Sequence, residues 1–203
     1  MRIISTFFLV LTALTGAAYS QEAVISPPFG MKWDDSKESV LAKYPSAVSE
    51  VDGDLTLITI AGNESNEFPS NTDFVRLIYA DGYGLVKVSW VSEDVKSDLY
   101  GTDGVEAFDR IYIALSKKLG AGKEIKRVGM ELYKDPDEFY ECLEYDGCGV
   151  WATFWNGTES SNSASMLKLN GLGRGEGYVS YSVEHPNWYK RNDQAEENDA
   201  SKF

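Results

Sequence analysis

The chain has 203 residues, with 32 Asp and Glu against 19 Lys and Arg, and a net charge of -13 at neutral pH. A field of that sign repels phosphate backbones and anionic lipid, which sets nucleic acid aside as a partner; it would steer a basic protein or collect cations. Beyond the N-terminal region no stretch approaches the roughly 18 apolar residues that a membrane span requires.

Arg2 precedes an apolar run at residues 7–18, and Ala18-Tyr19-Ser20 places small residues where a signal peptidase reads them. Residues 1–20 are therefore predicted to be a signal peptide. Gln21 and Glu22 stand where a lipoprotein signal would place its Cys. The expectation is a mature chain in the periplasm or outside the cell, with no membrane insertion after signal cleavage.

Pro27-Pro28-Phe29-Gly30 leads into Met31-Lys32-Trp33 and a short predicted helix. Asp35 and Glu38 have capping-box spacing, Val40 and Leu41 supply an apolar side, and Tyr44-Pro45 stops the helix. A β-branched run at 55–60 predicts a strand, followed by a polar loop at 61–73. Residues 74–79 and 85–91 flank Asp81-Gly82-Tyr83-Gly84, which reads as a hairpin with a glycine turn. Val105, Phe108, Ile111, Tyr112 and Leu115 then recur at three- and four-residue intervals up to Leu119-Gly120, the pattern of an amphipathic helix with a glycine C-cap. A strand is predicted at 124–133, a turn at Asp135-Pro136-Asp137, a second hairpin from 139–145 and 150–155, and further strands at 166–169 and 178–183. Residues 189–203 are polar enough to predict a disordered tail.

The two predicted hairpins match at an offset of 65. Phe74 falls on Phe139, and Asp81-Gly82-Tyr83-Gly84 on Asp146-Gly147-Cys148-Gly149; the same offset carries Val40 onto Val105. Residues 21–188 are therefore expected to form one globular domain of two repeats, about 29–100 and 101–188. The predicted class is α+β: two tandem units of helix followed by antiparallel strands, with helices covering one face of the sheet.

Cys142 and Cys148 are the two cysteines. In an oxidising compartment a lone close pair reads as a disulfide, here a local staple at the tip of the second hairpin. The single His, His185, precedes Pro186 at a strand end, so any Ser-His or Cys-His mechanism must pass through it. Asp135 with Asp137, or Glu141 with Glu144, are the carboxylate pairs nearest in sequence, although spacing alone does not show an acid and a base. No catalytic set, metal site or cofactor is predicted. The glycine-dense segment 170–177 precedes a strand rather than a helix, so it reads as a bulged hairpin and not a phosphate loop. Tyr and Trp are the side chains that most often anchor protein interfaces. Tyr83, Tyr145, Trp151, Trp155 and Trp188 are accordingly the candidate partner contacts; strand alternation means that about half of such residues face inward.

In layout, an exported chain of two helix-plus-sheet units opened by Phe29-Gly30-Met31-Lys32-Trp33-Asp34-Asp35-Ser36 and Val40 resembles the β-lactamase-inhibitor-protein-like modules. The resemblance carries over no catalytic residue. It implies binding of a protein through a sheet face or hairpin tips, as in exported inhibitors and immunity-type proteins. A carboxylate- or His185-dependent periplasmic hydrolase, and an envelope structural or ligand-carrying module, are the alternatives.

Overall fold

The structure is a computed structural model that describes residues 24–129, 132–156 and 163–202; the predicted signal peptide lies outside them. After an extended lead comes α1 (Lys37–Lys43), with Glu38 in its first turn and Lys43 in its last, both in accord with the helix dipole. Its cap differs from the expected box. The Ser36 hydroxyl accepts from the Ser39 N–H, while the Asp35 carboxylate takes the Lys32 N–H one turn earlier.

Strands β1 (Val48–Asp52), β2 (Leu55–Ala61), β3 (Thr72–Ala80) and β4 (Gly84–Ser92) form an antiparallel meander. Helix α2 (Thr102–Leu119) and strand β5 (Lys123–Arg127) follow, then helix α3 (Phe139–Glu144). Strands β6 (Val150–Asn156), β7 (Ala164–Gly173) and β8 (Glu176–Glu184) complete a second meander with β5. The two meanders join along β4 and β8, from Lys87↔Glu184 to Val91↔Ser180, giving one eight-stranded sheet in the order β1-β2-β3-β4-β8-β7-β6-β5. The class is α+β, with helices and a wholly antiparallel sheet in one chain.

Two expectations fail at the second unit. Residues 139–145 do not form a strand, because Asp135, Pro136 and Glu138 make a capping box with Pro at the start of a helical turn that runs directly into α3. Phe139, Tyr140 and Leu143 then share one helical side, which is packed against β7. The 65-residue offset thus relates α1 to α2 but pairs a hairpin turn with a helix end. The strands obey another offset: Thr72 of β3 corresponds to Ala164 of β7, and Gly84 of β4 to Glu176 of β8, 92 residues apart in both cases. The difference is an insertion. Where β1 and β2 are joined by Gly53 and Asp54 alone, β5 and β6 are separated by the segment containing α3. The third difference is the C-terminus, where Pro186–Ala200 forms helix α4 in place of a disordered tail. Pro186 sits at its first position, and His185 Nδ1 accepts the Asn187 N–H as a cap at 3.2 Å.

The core lies on one face of the sheet. Register places Ile58, Leu77, Val88, Val183, Ser165 and Trp155 in one row, and Ile60, Val75, Trp90, Tyr181, Leu167 and Thr153 in the next; all are buried. Three helices cover these rows. Lys37 of α1 reaches Thr56, Tyr112 of α2 packs on Trp155 at 6.1 Å, and Phe139 of α3 meets Trp151 at 5.7 Å. Buried side chains of both units belong to one continuous cluster.

Candidate functional site

The opposite face of the sheet lies between its strands and the solvent. One cross-strand row runs Val48, Thr59, Arg76, Ser89, Ser182, Met166, Phe154, Lys123, and its neighbour runs Ala61, Phe74, Val91, Ser180, Lys168, Ala152, Ile125. From β3 through β7 most of these residues are half-buried, shielded by their neighbours on the strands. Helix α4 touches only one end of this face. Trp188 stacks over the Lys87 ammonium at 5.5 Å, Tyr189 donates to Glu184 at 2.7 Å, and Arg191 pairs with Asp54 in the β1–β2 turn. Between Tyr189 and the sheet is a cavity of about 140 Å³ lined by Phe154, Met166, Ser182 and Glu184.

Charge on this face departs from that of the chain. The two central rows carry Arg76, Lys168 and Lys123 and no carboxylate. Arg76 donates to the Thr59 hydroxyl and lies 5.0 Å from the Phe74 ring; among the described residues neither it nor Lys168 forms an ion pair. The carboxylates stand at the margins: Glu50 at the β1 edge, and Glu184 under α4, where Lys87 binds it at 2.7 Å.

The insertion builds a different locality. Asp98 is 7% exposed and accepts the Thr102 and Gly104 N–H groups at the start of α2, as well as the Tyr140 hydroxyl at 2.8 Å. Burial, and then the Asp98 carboxylate, push the Tyr140 pKa far above the usual phenol value. Tyr140 fits there because Gly171 and Gly177 have no side chain. A Cβ at Gly171 would lie 1.9 Å from the Tyr140 carbonyl oxygen, and one at Gly177 would lie 2.3 Å from its ring. The glycine-dense segment thus serves a bulge between β7 and β8, as expected, and in addition a seat for α3. Cys142 and Cys148 form the disulfide. It closes the end of α3 onto the following turn rather than a hairpin tip. Beside it Tyr133, Glu141, Glu144, Tyr145 and Asp146 line an open depression of about 570 Å³.

The five candidate contacts do not converge. Trp155 is 3% exposed, its indole N–H donating to the Gly120 carbonyl, so it is a core residue and not a contact. Trp151 lies on the helix-covered face against Phe139. Tyr145 stands at the insertion, at the far end of the sheet from Tyr83 and Trp188. Tyr83 lies in the β3–β4 turn, where its carbonyl accepts the Asn187 side chain, and Trp188 is the one candidate directly over the open face. Sequence reasoning missed Arg76, Met166, Lys168 and Phe154. Period-two alternation marks each of them as opposite a buried neighbour, but which face stays open depends on where α1, α2 and α3 pack.

The residues named for chemistry have structural partners. Asp135 and Glu138 cap the turn before α3, Asp137 and Glu141 pair with Arg174, and His185 caps α4 with its ring 5.1 Å from Trp33. Comparison of the chain with protein-family models, curated proteins and solved structures gave no match.

Proposed function

We propose that the chain is an exported, non-enzymatic protein-binding module that docks its partner on the open sheet face and the turns beside it. The observation that carries this reading is the pair of central rows on that face, where half-buried apolar side chains alternate with polar and basic ones over several strands and, among the described residues, only α4 reaches them, at one end through Tyr189. Surfaces of that composition gain most when a second protein removes their apolar part from water. The N-terminal signal pattern and the Cys142–Cys148 disulfide support an oxidising compartment outside the cytoplasm. The layout resemblance to the β-lactamase-inhibitor-protein-like modules supports the same use of a sheet.

A photo-crosslinking residue at Ser89, in the middle of the open face, tests the proposal in the cells that produce the protein. One stoichiometric cross-linked protein is expected from position 89 and none from Lys117, on the outer side of α2. No cross-link from 89, or equal capture from both positions, defeats it.

A further inference from the structure

We infer that the partner of the open face presents carboxylates, so that an acidic chain binds an acidic surface through a locally basic sheet; this rests on the docking reading above. The net charge of -13 points to basic partners. Contacts, however, are governed by the charges that become desolvated, and the central rows hold Arg76 and Lys168 with no carboxylate beside them. Neighbours set the place of each. Arg76 is fixed between Thr59 and Phe74, and Lys168 stands between Ala152 and Ser180 in the cross-strand row.

Geometry narrows the partner further. Arg76 is on β3 and Lys168 on β7, three strand steps of about 4.8 Å apart and one row, about 6.8 Å, apart along the strands, which together is roughly 16 Å. The strip between them contains Val91, Ser89, Ser180 and Ser182, with Met166 and Phe154 beyond. The fitting surface has two carboxylates about that far apart, with small apolar or hydroxyl groups between them. A guanidinium takes one of these in a two-pronged hydrogen bond and an ammonium takes the other as a point charge. A nucleic acid duplex or an anionic bilayer fits less well: either extends past the basic centre onto Glu50, Glu176 and Glu184 at the margins. Discrete carboxylates on a protein meet the centre alone.

The test uses the mature chain and two peptides, acetyl-Glu-Thr-Val-Thr-Glu-amide and its counterpart with Lys replacing both Glu. In an extended peptide, residues four apart on one side are separated by roughly 13.6 Å, about 2 Å less than the backbone spacing of Arg76 and Lys168, a gap that the long Glu, Arg and Lys side chains span. In nuclear magnetic resonance titrations the Glu peptide is expected to shift the amides of Arg76, Ser89, Ser182 and Lys168, and the Lys peptide to leave them unmoved. The R76E/K168E variant should weaken the Glu peptide at least tenfold, and R76Q/K168Q, which removes the two charges without reversing them, should weaken it by a smaller factor. Equal shifts from both peptides, shifts confined to other surfaces, or tighter binding of duplex DNA or phosphatidylglycerol vesicles to the same amides overturns the inference. A partner cross-linked from position 89 and captured equally by R76E/K168E keeps the docking face and overturns the carboxylate requirement. Loss of that capture, alongside an unchanged melting temperature, supports it.

Discussion

Two side chains show how single groups hold the ends of this sheet in place. Tyr140 carries its hydroxyl into a buried site where Asp98 already accepts two helix N–H groups, so the phenol couples α3 to the start of α2. Tyr140→Phe keeps the ring and removes a charge-assisted hydrogen bond, which should lower unfolding stability by about 1.5–3 kcal/mol in urea titration; a change near zero would mean that the bond does no structural work. His185 caps α4 with Nδ1 and packs on Trp33. Burial, and then the nearby Lys190 charge, hold its imidazole below the usual 6.5. A folded-state pKa below the unfolded one means that the folded protein prefers the neutral ring. The contribution is therefore complete above about pH 6.5 and is lost as pH falls through that value toward the folded pKa. His185→Asn retains an oxygen able to accept the Asn187 N–H. The stability difference between wild type and H185N, measured by denaturant titration, is expected to shift in the variant's favour between pH 7.5 and pH 5.5, and a pH-independent difference would refute the assignment.

At the level of elements, what could be read from the sequence depended on whether local pattern or tertiary contact decided the outcome. The 55–60 run, the Asp81-Gly82-Tyr83-Gly84 hairpin and the three- and four-residue periodicity of α2 were legible because each pattern extends over a whole element. Residues 139–144 were ambiguous. Phe-Tyr-Glu-Cys-Leu-Glu has no clear period of two, and the decisive signal was the Asp135-Pro136-Asp137-Glu138 start, which reads equally as a turn. Helix α4 was illegible for a different reason. Its polar sequence has little apolar surface of its own and is held by Tyr189 on Glu184 and, through contacts distant in the chain, by Trp188 on Lys87 and Arg191 on Asp54. The open face was legible only as alternation, since Arg76 and Lys168 become neighbours of one strip through the β4–β8 junction. The insertion supplies two predictions. Gly171→Ala drives a methyl group into the Tyr140 carbonyl and should cost about 1–3 kcal/mol by overpacking, whereas alanine in an unobstructed strand would be neutral or better. Replacing Cys142 and Cys148 together by Ser opens a loop with a sequence separation of 6, for which chain entropy gives about 2 kcal/mol. Circular dichroism should show the secondary structure retained and a lower denaturation midpoint; complete unfolding would show that the bridge does more than staple α3.

For the whole molecule the question is whether two units linked by one strand pair behave as one body. The β4–β8 ladder joins them by backbone hydrogen bonds from Lys87↔Glu184 to Val91↔Ser180, and the buried rows continue through it without interruption, with Val88 next to Val183 and Trp90 next to Tyr181. Neither half could keep that junction dry alone: separation would expose an edge strand on each side together with fully buried Val88 and Val183. The loss of apolar burial at the junction makes a state with one folded unit unfavourable, so unfolding is expected to be a single transition. Calorimetry should return a van't Hoff enthalpy equal to the calorimetric one. Native-state hydrogen exchange should give the same opening free energy at Leu77 of the first unit and Leu167 of the second, because both lie in the shared core. A second calorimetric peak, or Leu167 exchanging through an opening that leaves Leu77 protected, would show that the units are energetically separate. The open face, which takes Arg76 from one unit and Lys168 from the other, would then have to be assembled rather than preformed.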